Sequence, residues 1–260
     1  MSNVTSRDGT VIGYEQVGTG RPLILVDGAL CYRRMGPSEG LAKVLAEGFT
    51  VYTYDRRGRG ESEDTGPYAV EREVEDLGAI IDEAGGSAFV SSGAALALEA
   101  ARHGLPISKL ALFEAPFITD DSREPVPLGF REVLIEKIAN GQRGKAVKLF
   151  MKAVGVPGFV IALMPLMPAW SKLKRSAHTL PNDFAILDGF QAGAPLPAGR
   201  WSNIDIPILV LDGGKSPRWM RNAMKELAES IPAAKLQTLP GQTHMVKPKV
   251  LGAALAEFFK

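Results

Sequence analysis

The chain has 260 residues, of which 45% are hydrophobic and 23% charged, the balance of a globular protein with enough length to bury a large core. Thirty basic side chains against 29 acidic ones leave a formal net charge of +1, so no strong overall field is expected to recruit nucleic acid or a membrane surface. Cys31 is the only cysteine, which excludes an intrachain disulfide, and the first residues lack the basic-then-apolar run of a secretory leader; the expectation is a cytoplasmic protein.

Short β-rich runs alternate with longer segments of helical period, the pattern of a mostly parallel sheet covered by helices. Arg7-Asp8-Gly9-Thr10 reads as a turn between two opening strands, the second over 11–17. Residues 22–26 and 50–54 are apolar runs of the kind buried on both faces of a sheet. Val70, Val74, Leu77 and Ile81 recur at helical steps. A strand is predicted over 87–90, a helix over 93–103, and further strands over 109–113 and 207–211. A helix over 218–230, a last strand over 235–239 and a closing helix with Leu251, Leu255 and Phe258 complete the pattern. Residues 118–203 hold no convincing strand but several helical pieces, among them 129–153 and a Pro- and Met-rich part over 156–170. This segment reads as a helical cap inserted into a core made of residues 1–117 and 204–260. Prolines interrupt its apolar run well short of a bilayer span.

Ligands of open α/β sheets bind beyond the carboxyl ends of the strands, so the residues that follow each strand carry the search for chemistry. Ser91-Ser92-Gly93 stands between a strand and an alanine-rich helix. A serine there is either an N-cap or a nucleophile held beside amide dipoles that favour an oxyanion. His244 falls in Gly241-Gln242-Thr243-His244, between the last strand and the last helix. His103 reads as a cation near a helix end, and His178 as a cap residue of structural or pocket-lining use.

Asp27-Gly28-Ala29, Asp55-Arg56-Arg57-Gly58-Arg59-Gly60-Glu61-Ser62, Ser91-Ser92-Gly93-Ala94-Ala95-Leu96 and Gly241-Gln242-Thr243-His244 follow one another in an order that resembles the α/β-hydrolase superfamily, in particular its capped esterase, lactonase and haloperoxidase-like members. The resemblance runs over nearly the whole chain and is weakest in the cap. It implies an α/β fold with a mostly parallel, eight-stranded sheet and no cofactor. It further implies Ser91 as nucleophile, because Ser91 stands two before Gly93, with the backbone N–H groups of Ala29 and Ser92 as oxyanion hole and His244 as base.

Three departures from the family pattern bear on that reading. Phe89 occupies the place of the first glycine of the Gly-x-Ser-x-Gly elbow, and the strand before it is about three residues short. Asp27 replaces the histidine usual before Gly28. Ser216 stands where the family most often has its acid, which leaves Glu114, after the strand over 109–113, as the predicted acid and Asp212 as the alternative.

Other signals lead elsewhere or nowhere. Gly213-Gly214-Lys215-Ser216 lacks the earlier glycine of a phosphate-binding loop, since Leu209 is there. The Arg56–Gly60 run reads as a structural turn. No spacing suits zinc, so no metal is expected, and Cys31 reads as a buried structural thiol. The expected partner is a small ester-like substrate, with no nucleic acid and no membrane; a homodimer is compatible with the sequence. Two rivals share the scaffold: a non-hydrolytic lyase or cyclase that uses the same pocket, and a catalytically silent binding protein.

Overall fold

The computed structural model describes residues 2–92 and 95–260, without the Ser92 side chain. Eight strands form one sheet: β1 (Ser2–Thr5), β2 (Val11–Val17), β3 (Arg21–Val26), β4 (Phe49–Tyr54), β5 (Ala88–Ser92), β6 (Ile107–Phe113), β7 (Ile208–Gly213) and β8 (Ala234–Leu239). Their spatial order is β1-β2-β4-β3-β5-β6-β7-β8. The β1–β2 and β2–β4 pairs are antiparallel and all later pairs are parallel. The opening hairpin caps one edge, and each parallel step needs a crossover, which the helices supply.

Apolar strands explain why both faces are covered. On one face, Ile24, Val26, Val90, Leu110 and Leu112 pack against α2 (Val70–Glu83), α3 (Ala95–Arg102) and α9 (Arg218–Ser230). On the other, Leu23, Leu25, Phe89, Ala111 and Leu211 pack against α1 (Ser38–Leu45) and α10 (Pro248–Phe259). The alternation follows the two-residue period of a strand. Helix α1 has only eight residues, too short for its period to stand out in the sequence.

Between β6 and β7 come α4 (Phe130–Ala139), α5 (Arg143–Ala153), α6 (Gly158–Leu163), α7 (Trp170–Ser176) and α8 (Leu180–Ile186). The single helical stretch predicted over 129–153 is two helices, because Gly141 adopts φ 70° and closes α4. Leu134, Ala146, Val147, Met164, Leu180 and Phe184 make a separate core that also takes in Leu30. Leu30 lies just past the end of β3, so the inserted helices sit against the carboxyl edge of the sheet.

The predicted strand over 87–90 differs from the structure where it matters most. Strand β5 runs on through both serines: Ser91 pairs with Leu25 and Ala111, and Ser92 with Val26 and Leu112. Phe89, at the place of the first elbow glycine, lies within the strand. It is 5% exposed inside the strand and stacks on Phe259 with ring centroids 5.0 Å apart. The pairing of β5 with β6 shifts register between Ala88 and Phe89.

Candidate active site

Two loops at the carboxyl edge bring Glu114 and His244 together. Glu114 follows β6 with φ 47°, a conformation that costs energy for a residue with a side chain and persists only where its surroundings enforce it. Its own N–H donates to Leu211 O at 3.1 Å, and Gly213 N–H donates to its Oε1 at 2.8 Å. Its Oε2 is 2.9 Å from His244 Nδ1. The Glu114 side chain is fully buried, whereas that of His244 is 55% exposed and lies almost parallel to Phe113, at 16° and 6.2 Å. Burial by itself raises the carboxyl, but His244, Ser216 and the Gly213 N–H outweigh it and hold its pKa below the usual carboxylate value. The arrangement is a buried anion bonded to one ring nitrogen, and the other nitrogen, which has no hydrogen-bond partner among the described residues, can move a proton.

The Gly213–Ser216 turn holds the histidine loop in place. Gly214 N–H donates to Leu239 O at 2.9 Å and Lys215 N–H to Gln242 O at 2.8 Å. A Cβ on Gly213 would lie 2.7 Å from both Gln242 O and Ser216 Oγ. The resemblance of this run to a phosphate loop thus has a structural origin: the glycine admits a close approach of backbone. Asp212, the alternative acid, is 3% exposed in β7 and, among the described residues, makes no hydrogen bond to His244.

The other predicted site residues form a second group. Ser91 is 5% exposed, and its pairing with Leu25 and Ala111 puts it on the sheet face covered by α1 and α10. The structure gives no hydrogen bond from Ser91 to His244 among the described residues. Ser92 ends the strand; its side chain, Gly93 and Ala94 lie outside the described residues. Ala29 belongs to the loop after β3, where the next residue, Leu30, has φ 61°.

That loop is pinned by the arginine turn. Arg59 donates to Gly28 O at 2.6 Å and to Cys31 O at 3.3 Å. It also forks onto both oxygens of Asp183 in α8, which Arg56 contacts at 2.8 Å while pairing with Glu73 of α2. Arg57 pairs with Asp76. All three arginines are buried, as the structural reading of the turn requires. No sequence motif marks Asp183. Its only signal was a carboxylate in an otherwise basic helical stretch, and its partners lie more than 120 residues away.

Asp27, at the head of the same loop, is 5% exposed and accepts a hydrogen bond from Ser38 Oγ at 2.5 Å. Burial pushes its pKa up to about 6 despite that bond and the nearby Arg59. Burial, with Asp27 close by, also pushes the Cys31 thiol up to about 12, which keeps it protonated and a poor nucleophile. His178 is held by Arg175 O at 2.7 Å and Asp64 at 3.3 Å, and His103 bonds the neighbouring Arg102. Among the described residues no cluster of His, Cys, Asp and Glu could hold a metal ion, and no helix is long and apolar enough to cross a membrane.

Residues 18–249 match the model of an alpha/beta hydrolase family. Among solved structures, an alpha/beta hydrolase from Sphaerobacter thermophilus is 49% identical, with all of both chains covered and a TM-score of 0.92. An esterase from Thermogutta terrifontis superposes with a TM-score of 0.67 at 20% identity, covering 99% of this chain and 97% of the other. An enol-lactonase from Burkholderia xenovorans does so at 0.69 and 20%, covering 99% of each. No curated protein matches the chain. The matched family model, the eight-stranded sheet and the order of its loops agree: the chain belongs to the alpha/beta hydrolase family.

Proposed function

We propose that the protein is a serine-dependent hydrolase of a small ester-like substrate. The observation that carries this reading is the buried Glu114 carboxylate bonded to the exposed His244 imidazole at the carboxyl edge of the sheet. A hydroxyl of the Ser91–Ser92 pair, assigned to Ser91 by its spacing to Gly93, attacks the substrate carbonyl as His244 Nε2 takes its proton. Glu114 stabilises the resulting imidazolium, and the N–H groups of Ala29 and Ser92 receive the oxyanion. The alcohol leaves with the proton from His244; water, activated in turn by His244, then frees the acid. No cofactor enters this scheme. The inserted helices act as a cap over the site, which is supported by the packing of Leu30 into their core. The similar folds of an esterase and an enol-lactonase favour ester chemistry on this scaffold.

One observation favours a second reading. Ser91 lies in β5 between Leu25 and Ala111, where a hydroxyl must turn out of the strand to reach substrate. A Glu–His pair that works without serine, as the acid–base of a lyase or cyclase, or a silent binding site, fits that burial. Labelling with a fluorophosphonate probe separates the two. One adduct at Ser91, abolished by Ser91→Ala and strongly reduced by His244→Ala, is expected. An adduct on Ser92 moves the nucleophile by one residue, and a folded protein that takes no label overturns the serine mechanism.

A further inference from the structure

The near-zero net charge conceals a segregation. From Lys137 to Asn182 the chain carries eight lysine and arginine side chains and no acidic one, so elsewhere 29 acidic residues face 22 basic ones. Within this basic segment, residues 153–171 carry no charge at all. Helix α6 and the short 3-10 turn after it (Met164–Leu166) present Phe159, Leu163, Leu166 and Met167 to solvent, with exposures of 71, 56, 81 and 50%. Phe159 and Leu163, four apart in α6, share one helical face, and Leu166 in the 3-10 turn and Met167 just past it extend the exposed apolar surface. The opposite side, through Ile161 and Met164, packs into the core of the insertion. Beside the stripe, Lys137 of α4 and Lys145, Lys148 and Lys152 of α5 line an open groove of about 760 Å³ together with Gly158 and Ile161 of α6. Lys172, Lys174 and Arg175 follow on α7.

An apolar face of this size left in water marks a surface that something covers. The charge pattern chooses among occupants. A second copy related by a twofold axis would set these lysines against the same lysines. A nucleic acid would satisfy the ammonium groups but leave Phe159, Leu163 and Leu166 wet. An anionic bilayer takes both: apolar tips enter the headgroup–acyl boundary while the surrounding lysines meet the anionic headgroups. We infer that this face of the helical insertion docks on an anionic lipid bilayer. It lies on the bilayer and does not span it, since α6 has only six residues. The docking is independent of which group acts as nucleophile, although it sets the insertion, and any entrance beneath it, against the lipid phase.

Co-sedimentation with vesicles tests the inference, using phosphatidylcholine alone and phosphatidylcholine with about a third phosphatidylglycerol. The full chain is expected to pellet with the anionic vesicles and to be released as salt rises, because exposed charges are screened. Lys148→Gln/Lys152→Gln should lower the partition about thirtyfold, from the usual contribution of a lysine near an anionic surface. Leu163→Ser/Leu166→Ser should lower it comparably, with far-UV circular dichroism unchanged because all four side chains are at least partly exposed. Absence of binding to anionic vesicles at low salt overturns the inference, as does equal binding to both vesicle types. A dimer that the leucine variant dissociates, without vesicle binding, overturns it in favour of self-association; binding of a DNA duplex in place of vesicles overturns it in favour of nucleic acid.

Discussion

Glu114 and His244 stand 130 residues apart in the chain and 2.9 Å apart in the structure, a buried carboxylate against an exposed ring. An amide in place of that carboxylate keeps the shape but cannot offset an imidazolium. Glu114→Gln is therefore expected to lower kcat for p-nitrophenyl acetate hydrolysis by about 10³–10⁴ with little change in KM. Ser216 adjoins Glu114. Adding Ser216→Asp to Glu114→Gln should restore part of the loss. A double variant no better than the single one would show that only the β6 position can orient His244.

Gly213→Ala tests the support of the histidine loop. The new Cβ would lie 2.7 Å from Gln242 O, so the loop that carries His244 must shift. Overpacking of this kind costs about 1–3 kcal/mol. The expected result is a modest fall in Tm together with a fall in kcat/KM of at least tenfold; unchanged kinetics would show that the loop position is not critical.

Asp183→Ala removes the carboxylate shared by Arg56 and Arg59 and leaves two buried guanidinium groups short of a partner. Breaking a buried pair in this way costs about 3–5 kcal/mol. Urea unfolding should show that loss. The fluorophosphonate reaction should slow as well, because Arg59 also holds Gly28 and Cys31 of the loop after β3.

Asp27 offers a pH signature. Its pKa is raised to about 6, above the roughly 3.9 of an unfolded chain, so the native state binds the extra proton between those values. Native stability therefore falls as pH rises through that window, and the full cost of the buried charge is present above it. Asp27→Asn should raise Tm by about 5 °C at pH 7.5 and by much less at pH 4. A gain that does not depend on pH would rule out ionisation of Asp27 as its origin.

Most of the sheet was legible in the sequence because strands buried on both faces must be apolar and the helices between them must carry one apolar stripe. The strands over 22–26 and 50–54, the helix over 218–230 and the strand-free stretch over 118–203 follow from that requirement alone. The end of β5 was not legible. Two serines after an apolar run read as the start of a turn, whereas their pairing with β3 and β6 makes them the last rungs of the ladder. The partners of the three arginines were hidden for a similar reason: an ion pair leaves no local pattern when Asp183 is more than 120 residues away.

The sequence by itself determined the layered α/β architecture, the family and the presence of a histidine on the loop before the last helix, because periodicity and short motifs are local properties of the chain. Only the tertiary structure decided that Glu114 rather than Asp212 meets that histidine, that Ser91 lies inside a strand, and that Phe159, Leu163 and Leu166 face solvent beside the lysines of α5. Those are relations in space between distant segments, set by strand register and helix packing, and no count of residues contains them.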